Sequence, residues 1–400
     1  MCGIFGSVFR AHPESMDSGT IDSAFASLLH RGPDDNGWFV FSKNTAMRGR
    51  GRLPLKPADA VLMHRRLSIL DLSEAGWQPM CSKNERYYIV FNGEIYNYVE
   101  LRKELQNLGY TFTSLSDTEV LLNAFAEWGP KALRRLTGMF AFAILDTQER
   151  TLFLARDFFG IKPLYYGTWR DGFAFSSEVK ALLELPGVNR RANPQRLYDY
   201  LRWGNTDAGG ENLLAGIKQL PAAHYLIVSL DHEHIPEPVR YWGIDLYQQS
   251  HLSFKNAAEK LRELFLDSVR VHLRSDVPVG AALSGGIDST AIVMAMRHIQ
   301  GSNLDLHAFS YIAADDSLSE ERWVDIAGKA SGARVHKIFA DENNLLMDLN
   351  GLLHSQDEPF GSTSIYAQNC VFRLASQNNI KVMLDGQGAD EMLAGYRPYI

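Results

Sequence analysis

The sequence predicts two domains of different class, an α+β N-terminal half followed by an α/β segment built on a parallel sheet. Two observations carry this reading, and a third places the boundary. Over the first 180 residues, short β runs such as 87–91, 139–145 and 151–155 alternate with Gly- and Asp-bearing turns. Only two helices interrupt them. Ile21, Phe25, Leu28 and Leu29 form one apolar stripe at helical spacing, and Val120, Leu121, Ala124, Phe125 and Trp128 form the other. Further on the rhythm changes. A helix capped by Ser253 runs towards Leu273 with Phe254, Ala257, Leu261, Leu264, Phe265 and Val269 on one face. Strand 279–283, a helix through 292–296, strand 306–311, a helix near 320–330 and strand 335–339 then alternate as βαβ units do. Between the halves, Pro186, Pro194, Pro221, Pro236 and Pro238 break the pattern, and only 225–230 reads as a strand. The expected division is a first domain over 2–215, a connection over 216–250 and a second domain over 251–400. The chain reaches Ile400 shortly after strand 381–384, so the second sheet is expected to be C-terminally incomplete.

Composition narrows the function classes. With 46% hydrophobic and 22% charged residues, the chain has the make-up of a folded globular protein and neither a disordered nor a fibrous one. Forty Lys plus Arg against 47 Asp plus Glu give a net charge of −7, which offers no basic field for nucleic acid or an anionic membrane. No run approaches the roughly 20 apolar residues of a membrane span. Met1-Cys2-Gly3-Ile4-Phe5-Gly6 has neither the basic start nor the apolar core of a secretory signal, so the expected compartment is the cytoplasm. Three cysteines, Cys2, Cys81 and Cys370, are too few and too scattered for a disulfide framework or a zinc site. Core packing is the expected role of Cys81 and Cys370.

Cys2 has a second use. A small residue after the initiator Met favours removal of that Met, leaving Cys2 with a free α-amine. A thiol titrates near about 8.5 and an α-amine near roughly 7.7 to 8.0, so one residue supplies both a nucleophile and a base. The plainer reading makes Cys2 a small residue opening an edge strand. Three polar clusters in the same domain bear on the choice: His30-Arg31-Gly32-Pro33-Asp34, His64-Arg65-Arg66-Leu67-Ser68 and Asn92-Gly93-Glu94-Ile95-Tyr96-Asn97. A guanidinium can hold a carboxylate, a carboxylate can hold an ammonium, and an Asn amide with a Gly N–H can form an oxyanion hole. Such a set suits an amino acid with a side-chain amide. Taken singly, Asn-Gly reads as a hairpin turn and Arg-Gly-Pro-Asp as a surface turn.

Together with Ser116-Asp117-Thr118-Glu119-Val120, Arg156-Asp157 and Gly160-Ile161-Lys162-Pro163-Leu164-Tyr165, these clusters resemble the glutaminase domain of class II glutamine amidotransferases. The resemblance implies an N-terminal-nucleophile fold of two stacked antiparallel sheets between helices. It also implies that Cys2 attacks the glutamine amide and that Asn92 and Gly93 stabilise the oxyanion. Arg66 would grip the α-carboxylate within a glutamine-binding run of Arg66, Leu67, Ser68, Ile69 and Leu70. Glu94 and Asp117 would hold the α-ammonium, and Arg31 would shape the pocket.

The second domain carries Leu283-Ser284-Gly285-Gly286-Ile287-Asp288-Ser289-Thr290 after an apolar strand. Ser and two Gly at a strand end let backbone N–H groups approach a pyrophosphate at a helix N-terminus, and Asp288 can hold Mg²⁺. The run is similar to the PP-loop of ATP pyrophosphatases, and no Walker pattern is present. Leu384-Asp385-Gly386-Gln387-Gly388-Ala389-Asp390-Glu391 adds a second acidic, Gly-rich turn, in which Asp390 would share the metal with Asp288. A glutaminase domain followed by this loop resembles glutamine-hydrolysing asparagine synthetases over residues 2 to about 397. The segments Asp357-Glu358-Pro359-Phe360 and Gly361-Ser362-Thr363-Ser364 fit the same family.

That resemblance implies ATP and Mg²⁺ as cofactors and an ATP site at Leu283, Ser284, Gly285, Gly286, Asp288, Ser289, Tyr311, Asp385 and Gly386. Gln387 occupies an adenylation-site position where the family's well-studied members carry Glu. The expected partners are glutamine, ATP and aspartate, with a homodimer as the assembly to test and no nucleic acid or membrane. The expected reaction hydrolyses glutamine at Cys2 and delivers ammonia to a carboxylate activated as its adenylate, releasing AMP and pyrophosphate. Aspartate, giving asparagine, is the first acceptor. A different carboxylate, such as an exopolysaccharide or antibiotic precursor, and a glutaminase-only hydrolase with a relic synthetase half are the alternatives.

Overall fold

The computed structural model describes residues 1–10, 18–43, 45–54, 57–206, 209–315, 317 and 319–396. Positions 397–400 of the expected second domain lie outside the described residues. The chain divides into two compact units, Met1–Tyr247 and Gln248–Ile400.

The first unit holds two antiparallel sheets. Its strands are β1 Gly3–Phe9, β2 Asp35–Ser42, β3 Thr45–Gly49, β4 Ala60–Arg66, β5 Met80–Cys81, β6 Tyr87–Ile95, β7 Gly138–Asp146, β8 Thr151–Arg156, β9 Tyr165–Trp169, β10 Gly172–Ser176, β11 Ile217–Gln219, β12 His224–Ser229 and β13 Val239–Arg240. One sheet runs β11-β9-β10-β1-β4-β2-β3 and the other β13-β12-β8-β7-β6-β5.

The period-2 alternation of a strand explains the layering. In β1, Ile4 and Val8 point into the core between the sheets, where they meet Tyr88, Val90, Ala141 and Ala143. Phe5 and Phe9 point the other way, against Ile21, Phe25 and Leu28 beside helix Ser18–Ala26 and Val179 and Leu182 of helix Val179–Leu183. The second sheet does the same with Ile89 and Phe91, which pack under Leu101 and Leu105 of helix Tyr98–Asn107 and Val120, Leu121 and Phe125 of helix Asp117–Trp128. The result is helix, sheet, sheet, helix, the two stacked sheets between helices that the family resemblance implies. Cys2 precedes β1, which lies between β10 and β4 and is not an edge strand.

The stretch 216–250, expected as a connection, differs from that expectation. β11 and β12 are laddered onto β9 and β8, and Leu226 and Val228 lie in the inter-sheet core. Pro194, expected as a breaker, is the first residue of helix Pro194–Trp203, capped by Asn193, whose side chain accepts from the Arg196 N–H.

The second unit is a four-stranded parallel sheet of β14 Val279–Ala282, β15 His307–Ile312, β16 Arg334–Phe339 and β17 Val382–Leu384, in the order β16-β15-β14-β17. Helices Ile287–Gln300 and Glu321–Ser331 cover one face through Val293, Met296, Val324 and Ala327. Helices Glu342–Gln356 and Ser364–Gln377 lie over the other, with Val371 and Ala375 against Phe309, and Leu352, Tyr366 and Cys370 in an adjoining cluster. Ser253 caps helix Phe254–His272 as expected. Chain order reverses at β14, which makes the gap between β14 and β17 a topological switch point, where ligands bind at the carboxyl ends of parallel strands.

Candidate active site

In the first unit, the polar clusters converge on one end of the sandwich. Gly3 pairs with Arg65, so the start of β1 lies against the end of β4. The Leu67 N–H donates to the Cys2 Sγ at 3.4 Å, and the thiol faces the Leu67 carbonyl at 3.7 Å. Arg31 fixes the Cys2 backbone through Nε to the carbonyl at 2.9 Å. Glu178 holds that guanidinium at 2.6 Å, and also meets His30 at 3.0 Å and Lys180 at 2.5 Å. Burial acts to raise the Glu178 carboxyl, but the His30 hydrogen bond, the Arg31 charge and the Lys180 contact bring it down to about 2. Burial pushes the Cys2 thiol up, opposed by the N-terminal amine, the Leu67 N–H, Arg66 and Arg31. The Met1 amine is lowered to about 5, chiefly by burial.

The Arg-Gly-Pro-Asp segment is no free surface turn. Pro33 bridges to Arg66, and the Asp34 N–H donates to the Arg66 carbonyl at 3.0 Å. The Asp34 carboxylate accepts from the Ser68 N–H at 2.8 Å. Arg66 is buried and donates to the carbonyls of Ser73 at 3.1 Å, Leu70 at 3.2 Å and Asp71 at 2.5 Å. A guanidinium carries five donors, so two remain uncommitted among the described residues. Ile69 lies within the loop that these bonds close.

Asn92 and Gly93 are not a hairpin turn; they continue β6, opposite Ala141 and Phe140 of β7. A Cβ at Gly93 would overlap the Met139 carbonyl oxygen and lie 2.8 Å from Phe140 Cα, so only glycine allows this approach. Asn92 is buried, and neither polar atom of its amide has a hydrogen-bond partner among the described residues. His64 Nε2 meets the Phe91 carbonyl at 3.0 Å and ties β4 to β6 across the sandwich. Burial lowers that imidazole to about 3, so it is neutral. Asp117 opens its helix under the Ser116 cap and accepts from the Ile95 N–H at 2.9 Å, beside Glu94. Burial raises both carboxyls, Asp117 to about 6 and Glu94, with Asp117 as its neighbour, to about 7.

Sequence reasoning assigned no role to Glu178, His64 or Lys162. Lys162 follows a loop held by buried Arg156 and Asp157. Arg156 donates to the carbonyls of Lys162 at 2.8 Å, Leu220 at 2.8 Å and Gly160 at 2.5 Å. Asp157 accepts from the N–H groups of Phe140, Phe159, Ile161 and Lys162 at 2.9–3.1 Å.

In the second unit, the expected residues gather at the switch point. Register places Ala282 beside Phe309 and Ala281 beside Leu384, which brings Leu283-Ser284 and Asp385-Gly386 to one carboxyl edge. Gly285 has φ +86, and Gly286 caps helix Ile287–Gln300, with Asp288 in its first turn. The Ser284 and Ser289 hydroxyls lie 3.0 Å apart, and Ser289 also meets the Ser284 N–H at 3.2 Å. A Cβ at Gly386 would lie 3.1 Å from Asp288 Cβ, so the 385–388 turn packs on the start of that helix. Asp385 accepts from Gln368 at 3.2 Å. The Tyr311 hydroxyl donates to the Ala340 carbonyl at 3.0 Å. Gln387 is exposed within its turn, and Asp390 lies in helix Ala389–Leu393. Asp288 has no hydrogen bond or ion pair among the described residues, which leaves its carboxylate open to a cation. Among those residues, no group of three His, Cys, Asp or Glu forms a metal cluster, and no helix is long and apolar enough to cross a membrane.

Comparison with known proteins gives each of the two units a family. Residues 1–242 match the glutamine amidotransferase domain, and residues 260–400 match asparagine synthase. Glutamine-hydrolysing asparagine synthetase 3 of Bacillus subtilis is 33% identical over 410 residues, 99% of this chain and 63% of its own length. A putative glutamine-hydrolysing asparagine synthetase 2 of Methanocaldococcus jannaschii is 32% identical over 100% of this chain and 76% of its own length. The solved glutamine phosphoribosylpyrophosphate amidotransferase of B. subtilis is 14% identical with a TM-score of 0.44, covering 96% of this chain and 90% of that one. The chain thus spans about three-fifths of the length of the B. subtilis synthetase. On its sequence and its two domain matches, the chain belongs to the family of glutamine-hydrolysing asparagine synthetases.

Proposed function

We propose that this chain is a cytoplasmic ATP-dependent amidotransferase in which glutamine hydrolysis at Cys2 supplies ammonia to aspartate activated as its adenylate, giving asparagine, AMP and pyrophosphate. The observation that carries the glutaminase half is the buried, unbonded amide of Asn92 on β6, next to the close-packed Gly93 and at the same end as Cys2. A buried amide without a partner is costly unless a ligand completes it. A tetrahedral oxyanion, held by the Asn92 amide and the Gly93 N–H, would do so.

Removal of Met1 gives Cys2 the free amine that accepts the thiol proton and later protonates departing ammonia. Arg66 offers its remaining donors to the α-carboxylate, and Glu94 with Asp117 receives the α-ammonium. In the second unit, Ser284, Gly285, Gly286 and Ser289 receive the pyrophosphate part of ATP. Asp288, with Asp390 as a second carboxylate, would hold Mg²⁺. That set fits a cation that takes one or two protein carboxylates and completes its shell with water and phosphate oxygens. When bound, the ion neutralises charge on the phosphates. A homodimer is the assembly to test beside the activity.

Intact mass establishes whether Met1 is absent, and glutamate release from glutamine tests the first half. Cys2→Ala is expected to abolish glutamate release while ammonia-dependent synthesis persists. Normal hydrolysis by a chain with a blocked N-terminus would overturn the nucleophile assignment.

A further inference from the structure

Lys162 is a buried cation that the scheme above leaves without a task. It is 6% exposed, and its side chain has no hydrogen bond or close ion pair among the described residues. Its backbone is nevertheless fixed. Asp157 Oδ2 accepts from the Lys162 N–H at 2.9 Å and from the Phe140 N–H at 3.1 Å. Phe140 is the register partner of Gly93, so one carboxylate oxygen ties Lys162 to the strand position facing the proposed oxyanion hole. Glu94, the next residue, is also buried and also lacks a hydrogen bond to its carboxylate among the described residues.

The charges facing Lys162 are Glu94 from β6, Arg31 from the turn before β2, Asp157 from its own loop and Cys2 ahead of β1. Those facing Glu94 are Asp117 from the adjoining helix, Lys162 and the N-terminal amine. Lys162 is thus a buried cation on a fixed backbone, within electrostatic reach of a carboxylate that burial and Asp117 together drive towards the neutral form.

We propose that Lys162 is a positioning residue for glutamine hydrolysis: its buried ammonium keeps Glu94 ionised beside Asp117, so that the pair presents negative charge to the α-ammonium of the substrate. The inference rests on the glutaminase reading. Burial lowers Lys162 while Glu94 and Asp157 raise it, so its charge and that of Glu94 sustain one another. A lysine whose charge does not reach Glu94 would, on removal, leave the titration of Glu94 unchanged.

The test uses the full chain with Met1 removed. Wild-type glutamate release comes first, and its absence would defeat the glutaminase reading itself. Given that activity, Lys162→Met is expected to move the acid limb of kcat/KM upward by about one pH unit or more, the shift typical of losing one nearby opposite charge. Glu94 is raised to about 7 in the wild type, so a further rise leaves less of it ionised at neutral pH. KM for glutamine should rise about fivefold or more at pH 7 and recover at higher pH. Inhibition by 4-carbamoylbutanoate, which is glutamine without its α-ammonium, should change by less than about twofold, within the ordinary effect of a neutral substitution.

Lys162→Arg keeps the charge and is expected to leave the acid limb where it is in the wild type. An unmoved limb in folded Lys162→Met, or equal weakening of glutamine and the des-amino analogue, would overturn the proposal. Should Lys162→Met not fold, the arginine variant decides: a displaced limb in that protein overturns the role and an unmoved one supports it.

Discussion

Asp157→Asn is a single-atom change whose consequence can be worked from the hydrogen bonds it breaks. Asp157 is fully buried and receives four backbone N–H groups, two on each carboxylate oxygen: Phe159 and Ile161 on Oδ1, Phe140 and Lys162 on Oδ2. In asparagine, one of those oxygens becomes an NH₂ group. Whichever way the amide turns, two backbone donors then face two side-chain donors and lose their acceptor. Leaving a buried donor unsatisfied costs about 1–3 kcal/mol, so the substitution is expected to cost about 2–6 kcal/mol. Against a total stability of about 5–15 kcal/mol that is a large fraction. With roughly 2–4 °C lost per kcal/mol in a unit of this size, the melting temperature should fall by about 4–24 °C.

Tryptophan fluorescence follows the right unit, because Trp323 alone among the seven tryptophans lies outside Met1–Tyr247. Deuterium uptake over 158–162 should rise at least tenfold in rate, since about 1.4 kcal/mol corresponds to a factor of ten. A transition within about 2 °C of the wild type together with unchanged uptake would refute the view that this carboxylate organises the loop.

Two further outcomes are expected. Gly93→Ala places a methyl group against the Met139 carbonyl and 2.8 Å from Phe140 Cα, both on a neighbouring strand that has no free space to give. It should cost about 1–3 kcal/mol in a melting experiment. It should also cut glutamate release about 10²–10³-fold, as loss of an oxyanion donor does; near-normal turnover would remove Gly93 from the site. Asp288→Asn should leave glutamate release intact while Mg²⁺-dependent AMP and pyrophosphate formation drops by more than the roughly 10–100-fold typical of outer-shell losses at metal sites. ADP and phosphate as products would reject the assignment of the loop after β14.

The parts of the fold that were legible in the sequence are those where one physical signal acts alone. The parallel sheet of the second unit could be read because strand and helix periods alternate, and Ser253 could be read because a cap residue precedes a long apolar stripe. Pro194 misled because its missing N–H is tolerated at the first position of a helix, so the same residue punctuates in one context and initiates in another. The segment 216–250 misled because β11 is only three residues long and draws its order from β9 rather than from its own sequence. Asn92-Gly93 carries the dipeptide of a tight turn, and only the neighbouring strand shows that close backbone approach is what requires the glycine. Glu178 and Lys162 could not be read at all. Nothing local distinguishes a charge that will be buried from one on the surface; the difference arises from what residues far away in sequence bring to it.

The two sites solve opposite electrostatic problems, and the treatment of each charge follows from the substrate proposed for it. A zwitterionic amino acid brings one charge of each sign into a dry pocket, where an unpaired charge costs several kcal/mol. The first unit meets this with charges that are partly compensated in advance: Glu178 by Arg31, Lys180 and His30, and Asp157 by four N–H groups. Those without a hydrogen bond among the described residues, Glu94 and Lys162, are where an incoming ammonium can alter the balance. A polyphosphate brings several charges of one sign and keeps much of its hydration. Fixed side-chain cations are not required for the proposed phosphate site at the loop after β14, where backbone N–H groups at a helix N-terminus and a cation carried in with the phosphates would do that work. Asp288 is half-buried and has no protein partner among the described residues, as the proposed cation would require. Pairing in one site and its absence in the other thus follow from one rule, that a charge drawn out of water is kept only where a protein partner or the bound state completes it.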